Sequence, residues 1–168
     1  MTVRLFVAVW PPPEVVDALR EMPRPDEPAV RWSTPDQWHV TLRFLGAVED
    51  VTAVRAALRD VTWTSATVEV GPATTRLGAS ILMLPVRGLD ELAHALPFPF
   101  DHGGFTGHLT VARARGRRGR VPASLEGIPF SASWTATSFA LVRSQTRPTG
   151  AVYDDVEVFL SSDAELMQ

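Results

Sequence analysis

Apolar and polar positions alternate in several short runs along the chain, and between these runs the apolar positions recur at helical spacing. Residues 3–10, V-R-L-F-V-A-V-W, predict a buried first strand. Pro11 to Pro13 end it, and proline suits the first turn of the helix that Val15, Val16, Leu19 and Met22 then mark out. After a Pro-rich loop over 22–28 come a short strand at 30–33 and a longer one at 38–45, closed by Gly46. Residues 50–60 predict a second helix, with Asp50 as N-cap and Val51, Val54, Ala57 and Leu58 on its apolar face. Strands follow at 64–70, stopped by Gly71-Pro72, and at 80–86; a short helix covers 89–96 and ends at P-F-P-F. Residues 106–113 form another strand, 114–127 a loop rich in Arg and Gly, and 130–142 and 152–160 the late strands. Strand, helix and strand recur on each side of about residue 75, which predicts an α+β fold of two similar lobes. No low-complexity linker divides them, so residues 1–168 are read as a single domain.

Two of these strands carry one pattern. Residues 39–42 read H-V-T-L and residues 108–111, sixty-nine positions later, read H-L-T-V. In a strand, residues two apart share a face and lie ~6.6–7 Å apart, so each copy sets an imidazole beside a hydroxyl. The chain has only four histidines, His39, His94, His102 and His108, and the matched pair among them points to two half-sites meeting at one cleft. Histidine titrates near neutral pH, so such a pair can work as general base and general acid together. Thr41 and Thr110 can donate hydrogen bonds to anionic oxygens, and Arg113 offers a fork-shaped cation suited to phosphate. The chemistry these groups describe is in-line phosphoester cleavage. No metal is expected, because two histidines without a third His, a Cys or a close carboxylate fall short of a ligand set. Arg113 lies five positions past His108, so a flat strand would aim it away from the histidine; a bulge or the strand end has to turn it.

Composition narrows the alternatives. A net charge of −3 gives no global basic field for nucleic acid. The apolar stretches are too short to span a membrane and the N-terminus lacks the pattern of a signal peptide, so a soluble, cytoplasmic protein without a membrane partner is expected. Cysteine is absent, which removes disulfides and thiolate chemistry. All sixteen basic residues are arginine. A P-loop lysine, a Schiff-base lysine and an adenylated lysine are therefore excluded.

The segments R-L-F-V-A-V, V-R-W-S-T-P-D-Q-W-H-V-T-L-R-F-L-G, G-H-L-T-V-A-R-A-R and F-A-L-V-R-S-Q-T-R-P-T-G-A-V-Y span nearly the whole chain. Together they resemble the two-histidine phosphoesterases, in the RNA 2′,3′-cyclic phosphodiesterase branch historically called bacterial and archaeal 2′-5′ RNA ligases. The resemblance implies a bilobal fold, with two pseudo-symmetric lobes whose antiparallel sheets face across a central cleft and whose helices lie outside. It implies that His39 and His108 are catalytic, that Thr41 and Thr110 bind phosphate, that Arg113 assists, and that neither cofactor, metal nor ATP is needed. The implied reaction is hydrolysis of RNA 2′,3′-cyclic phosphate ends to 2′-phosphate, and some relatives also join RNA ends through 2′-5′ links. The implied partner is RNA with such an end, or a small cyclic nucleotide; a monomer is expected. Two other readings stay open: a phosphodiesterase for small cyclic nucleotides or cyclic ADP-ribose phosphate, and a nucleotide- or RNA-binding module without turnover. Sequence symmetry does not divide the roles; His108 is taken as base and His39 as acid. The segment Leu89 to Phe105 is shorter than the family pattern and should help to wall the groove.

Further residues carry two readings each. Phe44 and Tyr153 are candidates to stack on a base, against core packing. Arg115, Arg117, Arg118 and Arg120 form a basic loop without an acid between them, suited to RNA backbone or to plain solvation. His94 and His102 are expected to be structural or solvated.

Overall fold

The motif strands lie side by side at the middle of one curled sheet. The computed structural model describes residues 1–100 and 103–167, so His102 lies outside the described residues. In chain order the elements are β1 (Val3–Val9), α1 (Pro13–Glu21), β2 (Val30–Trp32), β3 (Val40–Val48), α2 (Val51–Arg59), β4 (Ala66–Val70), β5 (Thr75–Leu77), β6 (Ile81–Arg87), α3 (Asp90–Ala95), β7 (His108–Ala114), β8 (Ala132–Ala136), β9 (Ser138–Arg147), β10 (Gly150–Leu160) and α4 (Ser162–Glu165). The strands run in the order β10-β9-β1-β3-β7-β6-β4-β8, with β2 also paired to β7 and β5 to β6. Every pairing is antiparallel.

Two lobes meet where β3 touches β7, through the single register pair Val40–Leu109. The lobes are not the two halves of the sequence. β4 follows the first motif strand yet pairs with β6 of the second lobe, and β9 follows the second motif strand yet pairs with β1 of the first. A division near residue 75 is therefore corrected: each lobe is completed by a strand from the other half. This interleaving is why no linker interrupts the chain.

The local rules hold where expected. Asp50 caps α2 by accepting a hydrogen bond from Ala53 N at 2.9 Å, and Pro13 opens α1. α1 packs against β8, α2 against β10 and α3 against β3. Val7, Val9, Leu19, Val40, Leu42, Leu84, Leu109 and Val111 are all buried in the core beneath the sheet. Each such aliphatic side chain contributes roughly 1.5–3 kcal/mol through burial. On the other face of the first lobe, Phe6, Ala8, Ala140 and Val142 form a smaller apolar cluster that floors the cleft.

Three boundaries differ from the sequence reading. Gly46 does not close β3: at φ +68° it carries the strand on to Val48, with Leu45 unpaired opposite the Leu5/Phe6 step. The stretch 130–142 is two strands, because Thr137 lets β8 stay on β4 while β9 crosses to β1. β5 and α4 were not expected; both are short, and α4 is held by Ser161 accepting a hydrogen bond from Ala164 N.

Candidate active site

Register sets the four motif side chains against one another. Val40 and Leu109 face the core opposite each other. Their antiparallel neighbours, His39 across from Thr110 and Thr41 across from His108, therefore share the cleft face. Immediately beyond each threonine the ladder slips. Val7 pairs with Arg43 and Ala8 with Thr41, leaving Leu42 unpaired in β3. Leu82 pairs with Ala112 and Met83 with Thr110, leaving Val111 unpaired in β7. Each bulge reverses the alternation that follows. Arg43 turns into the core at 4% exposure, while Phe44 turns into the cleft. Likewise Ala112 is buried and Arg113 enters the cleft beside Thr110.

Each histidine is oriented by the carbonyl two residues before it. His39 Nδ1 donates to Gln37 O at 2.7 Å, and His108 Nδ1 donates to Thr106 O at 2.8 Å. A carbonyl only accepts, so both rings carry the Nδ1 proton and leave Nε2 for chemistry. In the neutral ring His39 Nε2 is an acceptor, and it takes a hydrogen bond from the Thr41 hydroxyl at 3.0 Å.

An aromatic box surrounds His39. Phe6, Tyr153 and Trp10 lie 4.9, 5.2 and 5.6 Å from its ring centre. Burial pushes the His39 imidazole down to about 4; the Gln37 carbonyl pulls it upward, and the charges of Arg113 and His108 lower it further. His39 is thus neutral at neutral pH, the state of a base rather than of a loaded acid. To donate a proton it first has to gain one, and a phosphate anion between the rings is the partner that favours this. Burial also raises the Tyr153 phenol, against the pull of Arg113.

Three contiguous cavities run along the cleft. The central one, of about 310 Å³, is lined by both histidines, both threonines, Arg113, Tyr153, Phe44, Arg4 and Ser144. Its volume is of the size that holds a small-molecule ligand. On the Thr41–His108 side it opens into an apolar pocket bounded by Phe44, Phe100, Phe105 and Leu77. On the His39–Thr110 side it opens into a smaller pocket bounded by Arg31, Trp32, Ser33, Gln37, Gly150 and Tyr153. Among the described residues no group of three or more His, Asp or Glu side chains is placed to hold a metal ion.

The family model described as LigT like Phosphoesterase matches residues 9–74, which include the first motif. An RNA 2′,3′-cyclic phosphodiesterase of Thermus thermophilus is 34% identical across 93% of this chain and 89% of its own length. The chain belongs to the LigT-like phosphoesterase family. E. coli LigT complexed with 3′-AMP shares the fold, with a TM-score of 0.77 at 23% identity over 96% of this chain and 99% of that one. TT0787 of Thermus thermophilus aligns with a TM-score of 0.70 at 28% identity over 94% of this chain and 97% of that one.

Within this LigT-like fold, His39, Thr41, His108, Thr110, Arg113, Phe44 and Tyr153 all come together in the cleft. The Arg-rich loop does not join them. Arg115 Nε donates to Val30 O at 3.2 Å, and none of Arg115, Arg117, Arg118 and Arg120 lines the three cavities. His94 Nδ1 donates to Asp90 O at 2.6 Å within its own helix.

Sequence reasoning missed several residues of the LigT-like cleft, among them Gln37, Arg31 and Arg4. Gln37 holds His39 through its carbonyl, accepts from Thr34 N at 3.1 Å, and donates from Nε2 to Ala151 O at 3.0 Å. It thereby ties the tip of the β9–β10 hairpin to the first histidine. Its place two positions before His39 was a usable signal; its contact with Ala151, 114 positions away, was not. From the short Leu89–Phe105 segment, Phe100, Gly104 and Phe105 wall the groove. Arg43 donates to Phe98 O at 2.5 Å and to Ala93 O, and its guanidinium lies 3.6 Å from the centre of the Phe100 ring.

Proposed function

We propose that this protein hydrolyses RNA 2′,3′-cyclic phosphate ends to 2′-phosphates without a cofactor. The observation that carries the reading is the pair of His-x-Thr motifs, oriented alike by the carbonyls of Gln37 and Thr106 and converging on one cavity. The 34% identical relative named as an RNA 2′,3′-cyclic phosphodiesterase supports the same substrate.

In this mechanism water forms a bond to phosphorus while the bond from phosphorus to the 3′ oxygen breaks. One imidazole takes the water's proton and the other gives its own to the departing 3′ oxygen, so the pair ends with its protons exchanged. Thr41, Thr110 and Arg113 hold the non-bridging oxygens, whose charge grows in the transition state. Phe44 offers a face on which a base can stack. The cation at one end of the cavity and the aromatic ring at the other suit a phosphate joined to a nucleoside better than phosphate alone.

A second reading, a phosphodiesterase confined to small cyclic nucleotides, is favoured by the position of the Arg-rich loop outside the cavities. Turnover of an RNA with a 2′,3′-cyclic end, beside the matching nucleoside 2′,3′-cyclic phosphate, separates the two. A higher kcat/KM for the RNA is expected; turnover of the mononucleotide alone would favour the second reading, and turnover of neither would remove both.

A further inference from the structure

We propose that Arg31 is the contact for a second phosphate group of the substrate, one that does not react. Arg31 of β2 stands directly opposite Arg113 of β7 in the ladder. Like charges facing each other across a strand pair are unfavourable unless something of opposite sign lies between or over them. Among the described residues neither arginine forms an ion pair with a carboxylate; the five ion pairs involve Arg55, Arg59, Arg76, Arg87 and Arg143.

Arg31 and Arg113 both line the pocket at the His39–Thr110 end of the cleft. That pocket encloses about 120 Å³. Sites for drug-sized ligands begin near ~300 Å³, so this one suits a single small anionic group rather than a base. Arg31 is also held in place: its guanidinium donates to the Thr149 carbonyl at the tip of the β9–β10 hairpin. Gly150 makes room for this. Its φ is +120°, and a Cβ there would come within 3.3 Å of both Arg31 Nη2 and Gln37 Nε2. With Arg113 turned to the reacting phosphate by the bulge at Val111, Arg31 is the adjacent cation, one strand spacing of ~4.8 Å further along. Two phosphates of one nucleotide chain fit such a pair.

The inference rests on the phosphodiester reading of the cleft but not on turnover. The second phosphate has two sources: the 5′ side of the nucleoside that carries the reacting group, or the 3′ side of a strand joined to it. Binding constants by calorimetry separate them. The first arm compares a nucleoside 2′-monophosphate with the nucleoside 2′,5′-bisphosphate. The second compares a 2′-5′-linked dinucleoside monophosphate with and without a terminal 3′-phosphate. In at least one arm the added phosphate should tighten binding roughly tenfold, as one charge-assisted contact does. In Arg31→Gln that gain should fall to about twofold or less, and Arg31→Lys should keep part of it because the charge remains. Equal gains in wild type and Arg31→Gln, or no gain in either arm, would overturn the proposal. Failure of the phosphodiesterase reading looks different: the binding gain persists and no cyclic phosphate is hydrolysed.

Discussion

Phe44 and Arg113 occupy equivalent places in the two motifs. Each lies five positions past its histidine, and each is turned into the cleft by one unpaired residue after the threonine, Leu42 in β3 and Val111 in β7. The backbone device is symmetric and the side chains are not, so one cleft gains an aromatic face on one side and a cation on the other. Arg113→Gln should lower kcat by about 10² or more, because its charge acts where negative charge develops. Phe44→Ala should mainly raise KM and leave kcat within a few-fold, because stacking holds substrate and transition state alike. Steady-state kinetics on a nucleoside 2′,3′-cyclic phosphate reads both, and the reverse pattern would contradict the division of labour.

The neutral His39 has consequences that a pH titration can read. In the empty protein its ring should titrate near about 4, and binding of a nucleoside 2′-phosphate should raise that value. The folded value lies below the ordinary 6.5, so as pH falls the unfolded chain takes up its proton first. The stability tied to the neutral ring is complete above about pH 6.5 and is lost on the way down to about pH 4. Between about pH 7 and pH 4.5 the loss amounts to roughly 2–3 kcal/mol, and His39→Gln should remove it. NMR of the imidazole protons and urea unfolding at both pH values check this. A His39 that titrates near 6.5 in the empty protein would contradict it.

Among the described residues Arg43 is the one arginine placed in the core, and it holds the last turn of α3 and the Phe98–Phe100 wall. Arg43→Met leaves the Ala93 and Phe98 carbonyls without this donor, which should cost at least about 2 kcal/mol in urea unfolding. KM should rise with it, since Phe100 bounds the apolar pocket. A change within about 0.5 kcal/mol would mean the wall stands without Arg43.

The sequence carried the site further than it carried the architecture. The duplicated H-x-T pattern put four side chains in one place because strand periodicity is a local property, and Val40–Leu109 is the only register pair needed to join the copies. The need for a bulge before Arg113 was legible from parity alone. The matching bulge before Phe44 was not, since nothing in T-L-R-F marks Leu42 as the unpaired residue or sends Arg43 to the core. The exchange of β4 and β9 between lobes was hidden as well: an alternating strand reads the same whichever neighbour it pairs with. Arg31 and Gln37 escaped notice because their partners, Thr149 and Ala151, lie more than a hundred positions away.

The Arg-rich loop offers a test of reach. Arg115 is engaged by the Val30 carbonyl, which leaves Arg117, Arg118 and Arg120 for the RNA beyond its terminal nucleotide. Replacing these three with Gln should flatten the salt dependence of oligonucleotide binding by about 0.7 or more, the slope of one single-strand phosphate contact. Hydrolysis of a nucleoside cyclic phosphate should stay unchanged. Titrations at several salt concentrations decide it, and an unaltered slope would make the loop a solvated surface.

The most direct test of the paired-histidine mechanism is phosphorus NMR of a nucleoside 2′,3′-cyclic phosphate incubated with wild type, His39→Ala, His108→Ala and the double variant. Wild type should convert the cyclic signal to the 2′-phosphomonoester alone. Each single variant should be slower by about 10² or more, and the double variant much less impaired than the product of the two losses, because the histidines act as a unit. A 3′-phosphomonoester product, or near-normal turnover in either single variant, would contradict the mechanism.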